Sequence, residues 1–276
     1  MVLWGVMPVY WKALIPIDSF VIIFYRIVLV GFTCLIAALY AYKAKGIFEL
    51  FENKKAVLKL FLSGLLITGN WSIYIYAVNS GQLIEACIGY YIEPLVVCVF
   101  GIILFKERPS KYKLIAILFA CAAVIIILIH FMRLPLIALL LASSFAIYTA
   151  VKKHLKIQAA LSLFYETAFI TPPVIAYIVY LEFYGKGALG VGEPYQFILL
   201  LFAGLFTAAP LMMFTAAANR ISMITIGIIE YIAPSISLLI GIFIFKEPFD
   251  FVQFMAFVVI WIGLGFFTYG EMKGRG

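Results

Sequence analysis

The chain has 276 residues, of which 66% are hydrophobic and only 12% are charged, and its mean hydropathy is +1.14. Soluble domains average roughly 45–50% apolar and about 25% charged residues, and much of any compact surface must face water. The composition therefore excludes an ordinary soluble enzyme, a disordered protein and a disulfide-rich secreted domain. Long continuous apolar runs, rather than short alternating ones, favour membrane-spanning helices over a transmembrane β-barrel.

The net charge of +7 fits basic cytoplasmic loops in a membrane protein better than nucleic-acid binding. The four cysteines lie in or beside apolar segments without metal-ligand spacing, so we expect small buried side chains and no bound metal. The two histidines lie at predicted membrane edges, and the chain carries no zinc-protease, nucleophile-elbow or phosphate-loop motif. We therefore expect a protein that is not an enzyme and needs no cofactor.

Ten segments have the apolar character of membrane spans. A bilayer core of about 30 Å needs roughly 17–25 helical residues to cross it. The predicted segments are 1–14, 20–42, 56–78, 84–105, 114–131, 134–151, 161–181, 196–218, 224–245 and 251–269. The first is short for a full crossing, so we expect that the start of this helix is missing.

The distribution of lysine and arginine predicts the orientation. With a cytoplasmic N-terminus, fifteen of the twenty basic residues fall in the inner connections, four fall in the outer ones, and Arg26 lies within a span. Basic residues favour cytoplasmic loops. We therefore expect a multi-pass protein of the plasma (cytoplasmic) membrane with both termini in the cytoplasm.

Shifting the chain by 140 residues aligns it on itself. Sixteen of the 68 pairs from Leu60/Leu200 to Ile127/Phe267 are identical, among them Tyr91/Tyr231, Pro94/Pro234 and Lys106/Lys246. Because five spans is an odd number, the second half enters the membrane from the opposite side. The sequence thus predicts an all-α membrane protein with ten transmembrane helices in two inverted five-helix repeats, 1–131 and 132–276. Inverted repeats are typical of secondary transporters; a duplication with only structural meaning is the alternative.

Five short stretches carry a resemblance to a known family. They are "GNW" at 69–71, "AVN" at 77–79, "EACIGYYIEPL" at 85–95, "FTAAANR" at 214–220 and "YIAP" at 231–234. These residues resemble the RarD (chloramphenicol-sensitive protein) subfamily of the EamA family, in the drug/metabolite transporter superfamily. The resemblance covers almost the whole chain and implies a ten-helix inner-membrane transporter with a central cavity that exports small molecules. One departure is Glu93, where the family is associated with a neutral amide.

Four charged side chains fall at membrane depth, namely Arg26, Glu93, Glu166 and Glu230. Such groups are costly in a bilayer and usually line a cavity or pair with each other. The repeat aligns Arg26 with Glu166, and two roles stay open for them: a substrate anchor or gate, and an interhelix bond. A carboxyl in a low dielectric binds a proton more readily than one in water, so Glu93 and Glu230 are candidate proton carriers.

Prolines and aromatic residues complete the candidate site. Pro94 and Pro234 each remove one helix hydrogen bond, which predicts kinks that face a cavity or serve packing. Further side chains are predicted to bind substrate or to bond between helices, and these are Asn70, Trp71, Tyr74, Asn79, Tyr90 and Tyr231.

We therefore expect a secondary transporter that works by alternating access. Its partners would be a small-molecule substrate and the lipid bilayer, with no nucleic acid, and the sequence leaves the substrate, the coupling ion and the oligomeric state open. Two other functions remain as alternatives, a membrane-embedded enzyme acting on lipid and a channel or sensor.

Overall fold

The computed structural model describes residues 1–79, 83–132, 136–246 and 251–274, and of these it describes only the backbone at 44, 45, 75, 78, 79, 83–87, 131 and 253. Over the described residues the chain is helical apart from its turns and connections, and no strand occurs there. The helices are α1 (Val2–Lys12), α2 (Ser19–Glu52), α3 (Lys54–Asn79), α4 (Leu83–Ile103), α5 (Lys111–Phe131), α6 (Leu136–Leu155), α7 (Ala159–Ala168), α8 (Thr171–Phe183), α9 (Ala188–Val191), α10 (Pro194–Leu201), α11 (Ala203–Ala218), α12 (Met223–Glu230), α13 (Ile232–Phe243) and α14 (Phe251–Lys273).

Eight stretches of the described residues are long and apolar enough to cross a membrane. They are Ser19–Lys43, Lys54–Tyr74, Lys111–His130, Leu136–Leu155, Thr171–Val191, Pro194–Ala218, Met223–Phe243 and Phe254–Lys273. Two further predicted spans fall on shorter elements, since α1 has 11 residues and the apolar part of α4 is Ile88–Ile103. A multi-pass helical membrane protein is thus confirmed, and the count of ten crossings stays a prediction.

Three predicted spans are divided into two helices, and a kink was predicted in only one of them, 224–245. The segment 161–181 divides into α7 and α8 around Phe169, because Pro172 and Pro173 lack the N–H groups that would continue the first helix. The segment 196–218 divides into α10 and α11 at Phe202, and 224–245 divides into α12 and α13 at Tyr231. Apolar composition predicts membrane depth but not these breaks.

The chain forms two compact units, and each draws on both predicted repeats. The first consists of Met1–Met7, Gly69–Ala150 and Arg220–Gly276. In it α14 packs along α5, and α12 packs against α4. Its apolar core includes Ile92, Ile127 and Phe257. The compact units are defined by packing, whereas the repeats are defined by sequence similarity. The units therefore do not test the predicted repeat boundary at 131/132, which stays a prediction.

The second unit consists of Pro8–Thr68 and Val151–Asn219. Its centre is α2, which contacts α7, α8 and α11. Two glycines of this unit let helices approach closely: a Cβ added to Gly64 would lie 2.1 Å from the Glu166 carbonyl oxygen, and one added to Gly204 would lie 2.4 Å from that of Leu29. The 140-residue shift pairs these same two glycines, so both aligned positions meet the backbone of another helix.

The chain makes the same kind of backbone turn after α4 and after α13. Lys106 and Lys246, which the shift also pairs, both have a φ of 53°. The N–H groups just before them, of Phe105 and Phe245, donate to the carbonyls of Phe100 and Ile240. A positive φ is uncommon for a residue other than glycine. The two aligned lysines are therefore similar in backbone conformation as well as in sequence.

Candidate functional site

The candidate site is built where α12 packs against α4. A Cβ added to Gly227 would lie 2.6 Å from the carbonyl oxygen of Pro94, so only a glycine lets the two helices come this close without a shift. The Cys98 thiol donates to the carbonyl of Ile224 at 3.5 Å. These contacts fix the α12 helix alongside the proline-containing part of α4.

A carboxylate on the connection after α4 holds the start of α12. Glu107 accepts hydrogen bonds from the backbone N–H groups of Met223, at 2.8 Å, and Ile224, at 3.0 Å. The first N–H groups of a helix have no partner within it, and negative charge is favoured there. Glu107 therefore anchors the first turn of the helix whose last residue is Glu230.

Glu230 is buried without hydrogen-bond partners. Its exposed fraction is 5%, and among the described residues neither of its carboxylate oxygens has a hydrogen bond. Glu93 on α4 is partly buried, and two charged groups act electrostatically on Glu230, the carboxyl of Glu93 and the amino group of Met1. A buried carboxylate without hydrogen bonds costs several kcal/mol, so Glu230 is suited to bind a proton.

The predicted kink at Pro234 is realised as a break three residues earlier. Helix α12 ends at Glu230 and α13 begins at Ile232, which puts Pro234 in the first turn of α13, where a missing N–H costs least. Pro94 instead lies inside α4, which continues past it. The break places Tyr231 between the two helices.

Hydrogen bonds hold both the side chain and the backbone of Tyr231. Its hydroxyl donates to the carbonyl of Tyr91 at 2.9 Å, and the ring of Tyr91 lies 4.9 Å from that of Phe257. The Ser235 hydroxyl donates to the Tyr231 carbonyl at 2.7 Å and accepts from the Trp261 indole at 2.9 Å. Tyr231 is 2% exposed, and so its hydroxyl joins α13 to α4 rather than facing open space.

The remaining candidates on α3 and α4 divide between packing and exposure. Asn70 donates to the carbonyl of Leu141 at 2.8 Å and to the hydroxyl of Ser144 at 2.9 Å, which makes it an interhelix bond to α6. The rings of Tyr74 and Tyr90 lie 5.8 Å apart, and Tyr90 is exposed. Trp71 is partly buried. The side chain of Asn79 lies outside the described residues.

Arg26 and Glu166 both lie in the second unit, on α2 and α7. The guanidinium of Arg26 lies 5.4 Å from the centre of the Trp11 ring, a cation–π distance. Glu166 is 1% exposed and pairs with Lys152 in the last turn of α6. The sequence repeat aligned Glu166 with Arg26, and the structure gives this carboxylate Lys152 as a counter-ion.

Two charged residues of these clusters were missed from the sequence. Lys152 was counted among the loop cations because Lys153 and His154 follow it. Its position continues the buried stripe of α6 through Tyr148 and Thr149, and that periodicity was the available signal. Glu107 is the last residue of a Phe-Lys-Glu sequence that recurs at 245–247, and nothing in the sequence linked it to the start of α12.

Comparison with known proteins identifies the family. The profile of the EamA-like transporter family matches residues 1–129 and again 133–269. The uncharacterized transporter YojE of Bacillus subtilis (strain 168) is 38% identical over 99% of this chain and 92% of its own length. Protein RarD of Escherichia coli (strain K12) is 31% identical over 96% of this chain and 90% of its own.

The fold has a counterpart among solved structures. One crystal structure superposes with a TM-score of 0.73 at 15% identity, and the match covers 96% of this chain and 93% of that chain. At this identity the likeness concerns the fold alone. The relatives of known sequence are named as transporters or as RarD proteins and not as enzymes. With the family profile matched over nearly its whole length, the chain belongs to the EamA-like transporter family, a family of membrane transporters.

Proposed function

We propose that the protein is a secondary transporter of the cytoplasmic membrane that exports small metabolites or drugs by alternating access, coupled to protons that bind at Glu93 and Glu230. Membership of a transporter family implies a small-molecule substrate and a place in the membrane. Export, coupling and mechanism go beyond the family and rest on the residues of the site.

The observation that supports the proposal is the absence of hydrogen bonds to Glu230 among the described residues, at a position that is 5% exposed and beside a second carboxyl, Glu93. A purely structural carboxylate at membrane depth is expected to have its charge paired or hydrogen-bonded, as Glu166 has with Lys152. A carboxyl without hydrogen-bond partners in a low dielectric binds a proton readily. The break of the helix directly after Glu230 adds a point at which α12 and α13 can move separately.

The other site residues are proposed in supporting roles. Arg26 and the exposed ring of Tyr90 would contact substrate, together with Trp71, Tyr74 and Asn79. Asn70, Glu166 and Tyr231 would keep the helices in place through the bonds described above. Aromatic surfaces suit apolar or cationic solutes.

Transport by purified protein in proteoliposomes tests coupling. Chloramphenicol and a panel of small metabolites are first screened for an increase in melting temperature, and each stabilising compound is then offered to vesicles with an acidic lumen. We expect saturable uptake that the pH gradient accelerates and that the double variant Glu93→Gln/Glu230→Gln does not show. The exposed carboxyl of Glu49 supplies the matched control, Glu49→Gln, which should transport normally. If the double variant kept gradient-driven uptake, proton coupling at these residues would be wrong.

Orientation is tested separately. The proposed inverted repeats place Lys106 in the cytoplasm and Lys246 outside. An impermeant maleimide should label Lys246→Cys in intact cells and Lys106→Cys only after permeabilisation, against the native chain as background. Labelling of both from the same side would contradict the inverted arrangement and, with it, the case for alternating access.

A further inference from the structure

A short amphipathic segment follows the first long span. Helix α2 is interrupted at Lys43, whose φ of 56° and ψ of 174° are not helical, and the segment that follows, residues 44–52, ends before Asn53. Nine helical residues extend about 13.5 Å, less than half of a bilayer core of about 30 Å. The segment therefore cannot cross the membrane, and its position between two spans puts it at the membrane surface.

One face of this segment is fixed to the protein. Ile47 is 5% exposed and packs with Leu60, Leu161 and Tyr165. The Tyr165 hydroxyl donates to the carbonyl of Ile47 at 2.6 Å, and its ring lies 4.8 Å from that of Phe51. These contacts set the orientation of the segment on α7, so its exposed side chains are presented outward in a defined way.

Two of the exposed side chains are aromatic. Phe48 is 66% exposed and Phe51 is 43% exposed, and their rings stack at 6.4 Å. Exposed aromatic rings on a surface helix are buried favourably at the boundary between lipid headgroups and acyl chains. The segment also exposes two carboxylates, Glu49 and Glu52, which would remain in the aqueous phase.

Basic residues flank this segment in the chain. Lys54, Lys55 and Lys59 are exposed in the first two turns of α3, and Lys43 is exposed at the break in α2. Beyond them, α3 presents Leu58, Leu62 and Leu65 outward, spaced as one lipid-facing stripe. The lysines thus lie where the apolar surface of the span begins, which is the depth of the lipid headgroups.

We infer that residues 43–59 form a binding site for an anionic phospholipid of the adjacent leaflet, with Phe48 and Phe51 inserted at the acyl boundary and Lys54, Lys55 and Lys59 around the phosphodiester. The charge complementarity selects the lipid, since a zwitterionic headgroup offers these lysines no net attraction. This surface includes neither Glu93 nor Glu230, and the inference does not depend on what the protein transports.

The test is the melting temperature of the full-length protein in neutral detergent during titration with short-chain phosphatidylglycerol. We expect a rise of about 3 °C or more, since a ligand that binds only the folded state stabilises it. Short-chain phosphatidylcholine should give a much smaller rise, and glycerol 3-phosphate, which has the phosphate but no acyl chains, should give none. Raising the salt from about 0.05 M to about 0.5 M should weaken the effect of phosphatidylglycerol.

A matched pair of variants locates the site. Lys54→Gln/Lys55→Gln/Lys59→Gln removes three exposed cations from it, and Lys106→Gln/Arg108→Gln/Lys111→Gln removes three exposed cations from another connection. The first variant should lose most of the phosphatidylglycerol shift while the second keeps it, and Phe48→Ser/Phe51→Ser should reduce it without changing its salt dependence. An equal loss in both triple variants, or equal shifts from the two lipids or from glycerol 3-phosphate, would overturn the inference.

Discussion

The ammonium group of Lys152 and the carboxylate of Glu166 form an ion pair in which each side chain is 1% exposed. The Ser162 hydroxyl joins them, since it accepts from Lys152 at 2.8 Å and donates to Glu166 at 3.0 Å. The three residues connect the last turn of α6 to α7 within the second compact unit. Such a pair adds little over a well-packed apolar substitute, but the loss of one partner leaves an uncompensated buried charge.

Breaking this pair from either side should therefore be strongly destabilising. We expect Lys152→Met and Glu166→Gln each to lower the free energy of unfolding by about 3–5 kcal/mol. The double variant Lys152→Met/Glu166→Gln should recover much of that loss, because it leaves no lone charge. Unfolding in mixed detergent micelles, analysed as a double-mutant cycle, measures the difference.

The control cycle replaces an exposed lysine instead of Lys152. It combines Lys55→Met with Glu166→Gln. Those two changes should add without interaction, since Lys55 is exposed at the start of α3 whereas Glu166 is buried on α7. Additive losses in the Lys152/Glu166 cycle as well would show that the pair is not energetically coupled.

Glycine substitutions test the close approach of helices. Gly64→Ala should lower the melting temperature by several degrees, because the added Cβ would lie 2.1 Å from the carbonyl oxygen of Glu166 and the backbone must shift. Gly69→Ala on the same helix is the matched control, since a Cβ there meets nothing within 4 Å. In a helix, alanine is preferred to glycine, so this control should be neutral or slightly stabilising. Equal effects at both positions would contradict the packing described for α3.

Much of the helical architecture could be predicted from the sequence. Every backbone polar group inside a bilayer must be satisfied internally, so a long apolar segment has to be helical, and hydropathy alone finds it. The same argument says nothing about where such a helix breaks. Interruptions at Phe169, Phe202 and Tyr231 depend on local backbone geometry and packing, which composition does not carry.

The sequence predicted the carboxyls of the candidate site, but it did not predict the ion pair between Lys152 and Glu166. Glu93 and Glu230 stand out because a charge inside an apolar run is conspicuous. Lys152 does not, since it begins a run of basic residues at the end of a span, where lysines are ordinary. Its burial follows from the extension of α6 to Leu155, a few residues beyond the predicted boundary. A shift of one helical turn decides whether a cation is read as part of a loop or of the protein interior.

Glu107 is a helix cap whose removal should be measurable. Glu107→Ala leaves the N–H groups of Met223 and Ile224 without their carboxylate and should lower the free energy of unfolding by about 1–3 kcal/mol. Glu107→Gln keeps one acceptor oxygen and should cost less than Glu107→Ala. Thermal unfolding in detergent ranks the two against the exposed control Glu49→Ala, for which we expect little change. A loss in Glu107→Gln as large as in Glu107→Ala would argue that the side chain acts in some way other than by accepting these bonds.

Glu230 and Glu166 should respond to the same substitution with opposite sign. Glu230→Met replaces a buried carboxyl that has no hydrogen-bond partner among the described residues, so we expect it to raise the free energy of unfolding by about 1–3 kcal/mol. Glu166→Met removes one partner of a buried pair and should lower it. The stabilised Glu230→Met protein should at the same time lose gradient-driven transport, because groups kept for function are often costly to the fold. Melting curves of the two variants beside native protein decide the matter: a drop in melting temperature for Glu230→Met would mean that this carboxyl supports the structure, and its proposed role as a proton carrier would lose its main support.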